Sequence, residues 1–360
     1  MGIHRNGLKW SLAVLSLLGA SACDPFHTEF ESIEDARYYT AAQLTAAAPT
    51  GPLRVMTYNV KFGGGRIDFF FDCHGDRVLM TESETLRNLQ GIAEKIRAAS
   101  PAVVFLQEVD VLSKRAAYLD QLQWLLDHSE LNYAVYASQW RSDYVPSDGL
   151  GPVDSGNAIL SLYPLSDVVR LALPLRGDQD ALTQYFYLKR NILKARVRVG
   201  DSSVVLLNTH TSAYSQDGTK HTQLQRFESE MTSASDEGSW VIGGGDLNAI
   251  PPGSVDTHNF ADAVCEGDYE ASDYRGEEDW LAPLYERFAS AIPLDDYQAD
   301  NGPYFSHSTS SQIRWNRKLD YLFTNGQFLQ GLVHQDSASG GQDTMPLSDH
   351  APISAELVLP

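Results

Sequence analysis

The chain has 360 residues, 43% of them hydrophobic, which suffices for one large catalytic unit plus a short N-terminal extension. Its formal charge of −20, from 47 acidic against 27 basic residues, makes it ill suited to unaided, nonspecific binding of polyanions and favours solubility. No internal repeat and no long low-complexity tract follows Pro52, so a repeat architecture is excluded.

Residues 1–22 read as an export signal: basic His4, Arg5 and Lys9, an apolar stretch from Trp10 to Leu18, then small residues. The apolar part is too short to span a bilayer, which takes about 20 residues. Loss of this leader would make the chain more acidic still. Ala20-Ser21-Ala22-Cys23 resembles a bacterial lipobox, which implies a lipid on Cys23 and an exported, membrane-anchored lipoprotein on the periplasmic or extracellular face. Ala20 stands where Leu is commoner, and ordinary cleavage after Ala22 stays open. Residues 23–52 are expected as a tether and residues 53–360 as the catalytic domain. Export leaves Cys73 and Cys265 free either to form a disulfide or to remain two separate buried thiols.

The first strand of the domain spans residues 53–60, where apolar residues alternate before Gly63-Gly64-Gly65. Leu86, Leu89, Ile92, Ala93 and Ile96 then recur at helical spacing over residues 84–98, and Ser100-Pro101 ends the helix. Residues 102–106 form an apolar strand that delivers Gln107-Glu108, and a second helix is expected over 113–128. Strands follow over 133–137, 156–161, 168–173, 191–199 and 203–208. The last two form a hairpin about Gly200-Asp201, a pair suited to a tight primed turn. A helix over 220–235 precedes the strand Trp240-Val241-Ile242, and strands at 318–323 and 353–358 complete the pattern. Helices between strands, with many antiparallel pairs, predict an α/β fold in which two mixed, mainly antiparallel β-sheets pack face to face and are flanked by helices as a four-layer sandwich.

Asn59, Glu108, His210, Asp246 with Asn248, Asp320, and Asp349 with His350 all stand at strand ends or beside them. Each alone reads as a turn former. Together they supply carboxylates for a hard cation, amides to orient and imidazoles for charge or protons, as metal-assisted attack on a phosphoester requires. Gly243-Gly244-Gly245 is expected to be the glycine turn that presents Asp246 and Asn248.

Thr57-Tyr58-Asn59, Leu106-Gln107-Glu108-Val109, Gly156 to Ser161, Leu207-Asn208-Thr209-His210, Gly244-Gly245-Asp246-Leu247-Asn248, Lys318-Leu319-Asp320-Tyr321 and Ser348-Asp349-His350 occur in one order across the chain. In these segments the chain resembles the endonuclease/exonuclease/phosphatase superfamily, whose deoxyribonuclease I-like fold is the sandwich expected above. The resemblance implies a Mg²⁺-dependent phosphoester hydrolase, with Mn²⁺ as a substitute, cleaving by in-line water attack. It implies Glu108, Asn59 and Asp349 at the metal. Asp246 would align or deprotonate the water, Asn248 would donate to the nucleophile or a phosphoryl oxygen, and Asp320 and His350 would form a carboxylate–imidazole pair. His210 would be a second imidazole on the phosphate. Substrate contacts would come from Asn59, His210 and Asn248.

The substrate class stays open between a nuclease or phosphodiesterase and a sphingomyelinase-like or inositol-phosphate esterase, and a noncatalytic binding module is the alternative of a different kind. No obligate protein partner is expected. Arg190, in Lys189-Arg190-Asn191, either holds a nonreacting phosphate or is a solvated strand-edge cation. Phe69-Phe70-Phe71 either lines a pocket or is core, Asp72 to Asp76 reads as a polar loop, and the acidic stretch from Asp262 to Glu286 reads as a solvated insertion. Arg314 to Lys318 faintly resembles a segment of inositol phosphatases but lacks its Cys and has Asn316 in place of its Asp.

Overall fold

Alternation of apolar side chains along the strands decides the layers, because successive residues of a strand face opposite sides of its sheet. In the computed structural model, which describes residues 24–46, 51–72, 75–262 and 272–359, both faces of the central strands are covered. The leader, Cys23, Cys73, His74 and Cys265 lie outside the described residues. No helix among the described residues is long and apolar enough to cross a membrane.

In chain order the elements are β1 (Ile33–Asp35), β2 (Arg37–Thr40), β3 (Leu53–Asn59), α1 (Glu82–Ala99), β4 (Val103–Asp110), α2 (Gln121–His128), β5 (Tyr133–Val145), β6 (Gly151–Ser161), β7 (Leu165–Ala172), α3 (Ala181–Phe186), β8 (Asn191–Val199), β9 (Ser202–His210), α4 (Thr219–Asp236), β10 (Trp240–Asp246), α5 (Ala282–Arg287), β11 (Ala289–Ser290), α6 (Leu294–Ala299), β12 (Asp320–Thr324), β13 (Phe328–Val333) and β14 (Ile353–Leu357). They form two seven-stranded sheets, ordered β1-β7-β8-β9-β10-β12-β11 and β13-β14-β3-β4-β6-β5-β2. Val55, Phe105, Val135 and Ile159 of the second sheet meet Leu193, Leu206, Ile242 and Leu322 of the first in the central core. The opposite faces are covered by α1 and α2 on one side, through Leu89, Ile92 and Leu125, and by α4 on the other, through Leu224, Phe227 and Met231. The expected four-layer α/β sandwich is the observed one.

Each sheet holds one parallel pair, β3 with β4 and β9 with β10, joined across α1 and α4. Parallel neighbours end on the same edge, so Asn59 stands beside Gln107, and His210 beside Asp246. Asn208 couples the two sheets behind that edge: its amide donates to the Leu106 and Ala158 carbonyls at 2.9 and 2.8 Å and accepts from Gln107 Nε2 at 2.7 Å. Satisfying these buried groups from both sheets fixes their relative position, and with it the site.

Several expectations are corrected. Part of the segment read as a tether is strand: β1 pairs with β7 and β2 with β5. The helix expected over 113–128 is a single turn at Lys114–Ala116 followed by α2, because Ala117 and Tyr118 are left-handed. Gly243-Gly244-Gly245 is not a turn but the interior of β10. A Cβ on Gly243 would lie 2.5 Å from Met231 Sδ, on Gly244 2.1 Å from the Tyr321 carbonyl oxygen, and on Gly245 1.9 Å from that of Thr209. The glycines let α4 and both neighbouring strands close on β10. The acidic stretch is not wholly solvated: Asp262 is buried against Arg317 at 3.0 Å and Glu277 against Lys220 at 2.6 Å. The hairpin about Gly200-Asp201 stands as expected, with Val199 opposite Ser202.

Candidate active site

Glu108 reaches the site through a fault in its strand. The β4–β6 register shifts between Leu106 and Val109, and Glu108 adopts φ +57, a left-handed conformation that a β-bulge or a functional constraint must stabilise. The bulge places its side chain, 28% exposed, in the cleft. Asn59, at the end of β3, lies beneath: its Nδ2 donates to Glu108 Oε1 at 3.1 Å and to Asp246 Oδ2 at 3.0 Å, while its Oδ1 accepts from the Lys61 amide at 3.0 Å. Asn59 is buried and does not line the cleft. It presents amide hydrogens to two carboxylates and so orients them.

Asp246, at the end of β10, is the hub. Its Oδ2 also lies 3.3 Å from His210 Nε2 and 3.5 Å from His350 Nε2, and its Oδ1 accepts from the Asn248 amide at 3.0 Å. Burial pushes this carboxyl up to about 7, with His350 opposing the rise and Asp320 adding to it. Asn248 is held in left-handed backbone with φ +45, and its Nδ2 donates to the Thr211 carbonyl at 3.1 Å.

His350 is fixed from behind. Its Nδ1 lies 2.8 Å from Asp320 Oδ2, which also accepts from Ser306 Oγ at 2.7 Å. This leaves Nε2 to face Asp246 and the cleft. Burial alone would lower the imidazolium, but Asp320 and Asp246 outweigh it and push it up to about 10, so the ring is charged at neutral pH. His210 is its opposite: burial, with Arg190 and His350 nearby, holds it well below 6.5 and therefore neutral. Its Nδ1 is buried without a hydrogen-bond partner among the described residues, 4.0 Å from Glu108 Oε1.

Asp349 lies 3.9 Å from Lys61 Nζ. Burial would raise its carboxyl, and Lys61, His350 and Arg66 outweigh that and lower it. Glu108 is raised, first by burial and then by the charge of Asp349. Two mutually repelling carboxylates at a cleft surface are hard oxygen donors suited to a small divalent cation. Among the described residues, the groups of three with donor atoms close enough for one ion are Asp246, Asp320 and His350, and His307, Asp349 and His350; Glu108 belongs to neither. The first is occupied internally by the His350 to Asp320 hydrogen bond.

Glu108, Arg190, His210, Asp246, Asn248, Asp349 and His350 thus converge on one cleft of about 660 Å³, with Asn59 and Asp320 behind them. Arg190 is buried, not a solvated strand-edge cation, and donates to Gln139 Oε1 at 3.0 Å. Sequence reasoning missed Lys61 and His307. Lys61 follows Asn59 by two residues and takes φ +43; its Nζ donates to Asp72 Oδ2 at 3.1 Å, so the loop read as merely polar anchors a cleft cation. His307 packs its ring 4.3 Å from that of His350, and its buried Nδ1 has no hydrogen-bond partner among the described residues. Lys61's closeness to a strand end was a usable signal; His307 offered none beyond its residue type.

Three solved structures share the fold. An endonuclease/exonuclease/phosphatase from Beutenbergia cavernae DSM 12333 is 20% identical, with a TM-score of 0.55, covering 85% of this chain and 71% of its own. A functionally unknown conserved protein from Enterococcus faecalis V583 is 16% identical, with a TM-score of 0.53, covering 85% and 99%. The human Nocturnin catalytic domain with bound sulfate anion is 16% identical, with a TM-score of 0.50, covering 90% and 97%. No curated protein sequence matches the chain. The pattern described as Endonuclease/Exonuclease/phosphatase family matches residues 56–350. That span opens within β3, just before Asn59, and closes on His350, enclosing every carboxylate and imidazole of the cleft, and the chain belongs to the endonuclease/exonuclease/phosphatase family.

Proposed function

We propose that the protein is a Mg²⁺-dependent phosphodiesterase that hydrolyses compact phosphoesters by in-line attack of water. Its family is one of phosphoester hydrolases. The observation that carries the reading is the single buried carboxylate of Asp246 held between two imidazoles of opposite protonation, with the Glu108 and Asp349 carboxylates in the same cleft. Glu108 and Asp349 would hold the cation, which when bound would neutralise charge on the phosphoryl oxygens.

Asp246, raised towards neutrality, accepts a proton from the attacking water, and Asn59 fixes the carboxylate's direction. The Asn248 side chain sits beside it to orient the nucleophile. Charged His350, locked by Asp320, stabilises the negative charge that grows on the phosphoryl group. Neutral His210 supplies a hydrogen bond without adding charge. Arg190 lies at the cleft wall, where its guanidinium favours a nonreacting phosphate oxygen.

A panel of supercoiled DNA, RNA, sphingomyelin, phosphoinositides and a bis-aryl phosphodiester, each with and without Mg²⁺, tests the reading. Metal-dependent release from at least one supports it, and no turnover of any with Mg²⁺ or Mn²⁺ removes it. We further propose that the chain is exported and anchored through lipid on Cys23. Cys23→Ser should then move it from the membrane to the soluble fraction, and a wild type already soluble with an unmodified N-terminus contradicts this.

A further inference from the structure

The cleft is much larger than a phosphate group, and one wall beyond the catalytic residues is apolar. Phe69-Phe70-Phe71 divides its labour. Phe69 is core, whereas Phe70 and Phe71 line the cleft, and Phe71 remains 40% exposed while stacked on Phe69 at 5.6 Å. On the same wall Trp140 spends its only donor on the Phe186 carbonyl at 2.7 Å, so the indole offers apolar surface alone. Tyr187 stands 6.1 Å from it, centroid to centroid. Helix α3 buries none of its residues, and its Leu182 is 69% exposed at the cleft. An apolar wall continuous with a reaction centre calls for an apolar ligand group beside the reacting one.

Most cations of the cleft are already engaged. Lys61 is paired with Asp72 at 3.1 Å, Arg115 with Asp110 at 2.8 Å, Arg176 with Asp178 at 2.9 Å and Lys220 with Glu277 at 2.6 Å, which leaves Arg190, bonded to Gln139 Oε1, for a single phosphate. A polynucleotide needs a succession of basic side chains to track its phosphates. This wall offers aromatic and aliphatic surface and no succession of uncompensated cations among the described residues, on a chain of formal charge −20.

We infer that the surface formed by Phe70, Phe71, Trp140, Leu182 and Tyr187 is a substrate subsite for a bulky apolar group esterified to the phosphate, so that the substrate is an amphiphilic phosphoester and not a nucleic acid strand. The inference rests on the phosphoesterase reading for the position of the phosphate, but the subsite is testable by binding alone. Burying a methylene is worth about 0.8 kcal/mol, or about a fourfold gain in affinity.

The experiment is calorimetric titration of the Mg²⁺-loaded full chain with n-alkylphosphonates, methyl to hexyl, all monomeric in solution. Affinity should rise by about two- to fourfold per methylene, and Phe71→Ser with Leu182→Ser should flatten the rise. A flat series in wild type overturns the subsite, whether or not any ester is hydrolysed. A rising series in a protein that hydrolyses no ester sustains the subsite and rejects the phosphoesterase reading. Should the double variant not fold, the wild-type series decides alone. Displacement of bound hexylphosphonate by monomeric dihexanoyl phosphatidylglycerol marks a lipid source for the ligand, and displacement by phenyl phosphate a soluble aromatic one. Displacement by oligothymidylate and by neither of these overturns the inference.

Discussion

Asp320→Asn isolates the charge that makes His350 an imidazolium. The substitution keeps the shape of the side chain but replaces the carboxylate 2.8 Å from His350 Nδ1 with a neutral amide, in a setting where both side chains are nearly closed to water, at 6% and 0% exposure. A hydrogen bond to a charged group contributes about 1.5–3 kcal/mol, and about 1.4 kcal/mol corresponds to tenfold in rate. The variant should therefore lose roughly ten- to a hundredfold in kcat/KM. The sign of the pH effect follows from the raised imidazolium. Its stabilising contribution is complete below its ordinary value of 6.5 and is lost as pH rises towards about 10. With Asp320 neutralised the rise shrinks, so the basic limb of the kcat/KM profile should move to lower pH. The loss of folding stability between pH 6.5 and 10 should become shallower. The assay is hydrolysis of a bis-aryl phosphodiester at fixed Mg²⁺ across pH, with parallel urea melts. Wild-type kcat/KM and an unmoved basic limb in the variant would refute the argument.

Two further substitutions test the scaffold. Gly245→Ala sets a Cβ 1.9 Å from the Thr209 carbonyl oxygen at a residue with φ +127, and should cost at least about 2 kcal/mol in urea unfolding while displacing Asp246 and lowering turnover. A midpoint equal to wild type contradicts the close approach of β9 to β10. Asp262→Ala leaves the buried Arg317 guanidinium without its carboxylate, and should cost about 3–5 kcal/mol. Burial would raise the Asp262 carboxyl, but Arg317 and the neighbouring donors outweigh it and hold it below 3.8. Its contribution is therefore present above 3.8 and lost as pH falls through the lowered value. The variant should show a shallower acid limb in its stability profile, and a limb unchanged from wild type would exclude Asp262 as its source.

What the sequence showed and what it hid have separate physical causes. Apolar strands that stop at or begin with a polar residue are local patterns, which is why Asn59, Glu108, His210, Asp246 and Asp320 could be found one at a time, and the two parallel pairs do bring Asn59, His210 and Asp246 to the strand ends at the site. The bulge at Glu108 is a conformational event with no composition of its own. The glycines of β10 read as a turn because the contacts that require them come from Thr209, Tyr321 and Met231, each distant in sequence or in another element. Strands β1 and β2 are three and four residues long and mostly exposed, too short for alternation to register. The Asp262 to Arg317 pair joins residues 55 apart, so the charge run around Asp262 gave no sign that one member is buried.

The most direct test of the account is phosphodiester hydrolysis by chelator-stripped protein with Mg²⁺ restored, wild type beside Glu108→Gln. The account predicts no turnover without metal, recovery in wild type on adding Mg²⁺, and at least about a hundredfold less in Glu108→Gln with its fold retained by circular dichroism. Undiminished turnover by the stripped protein, or near-wild-type turnover by Glu108→Gln with Mg²⁺ present, would contradict it.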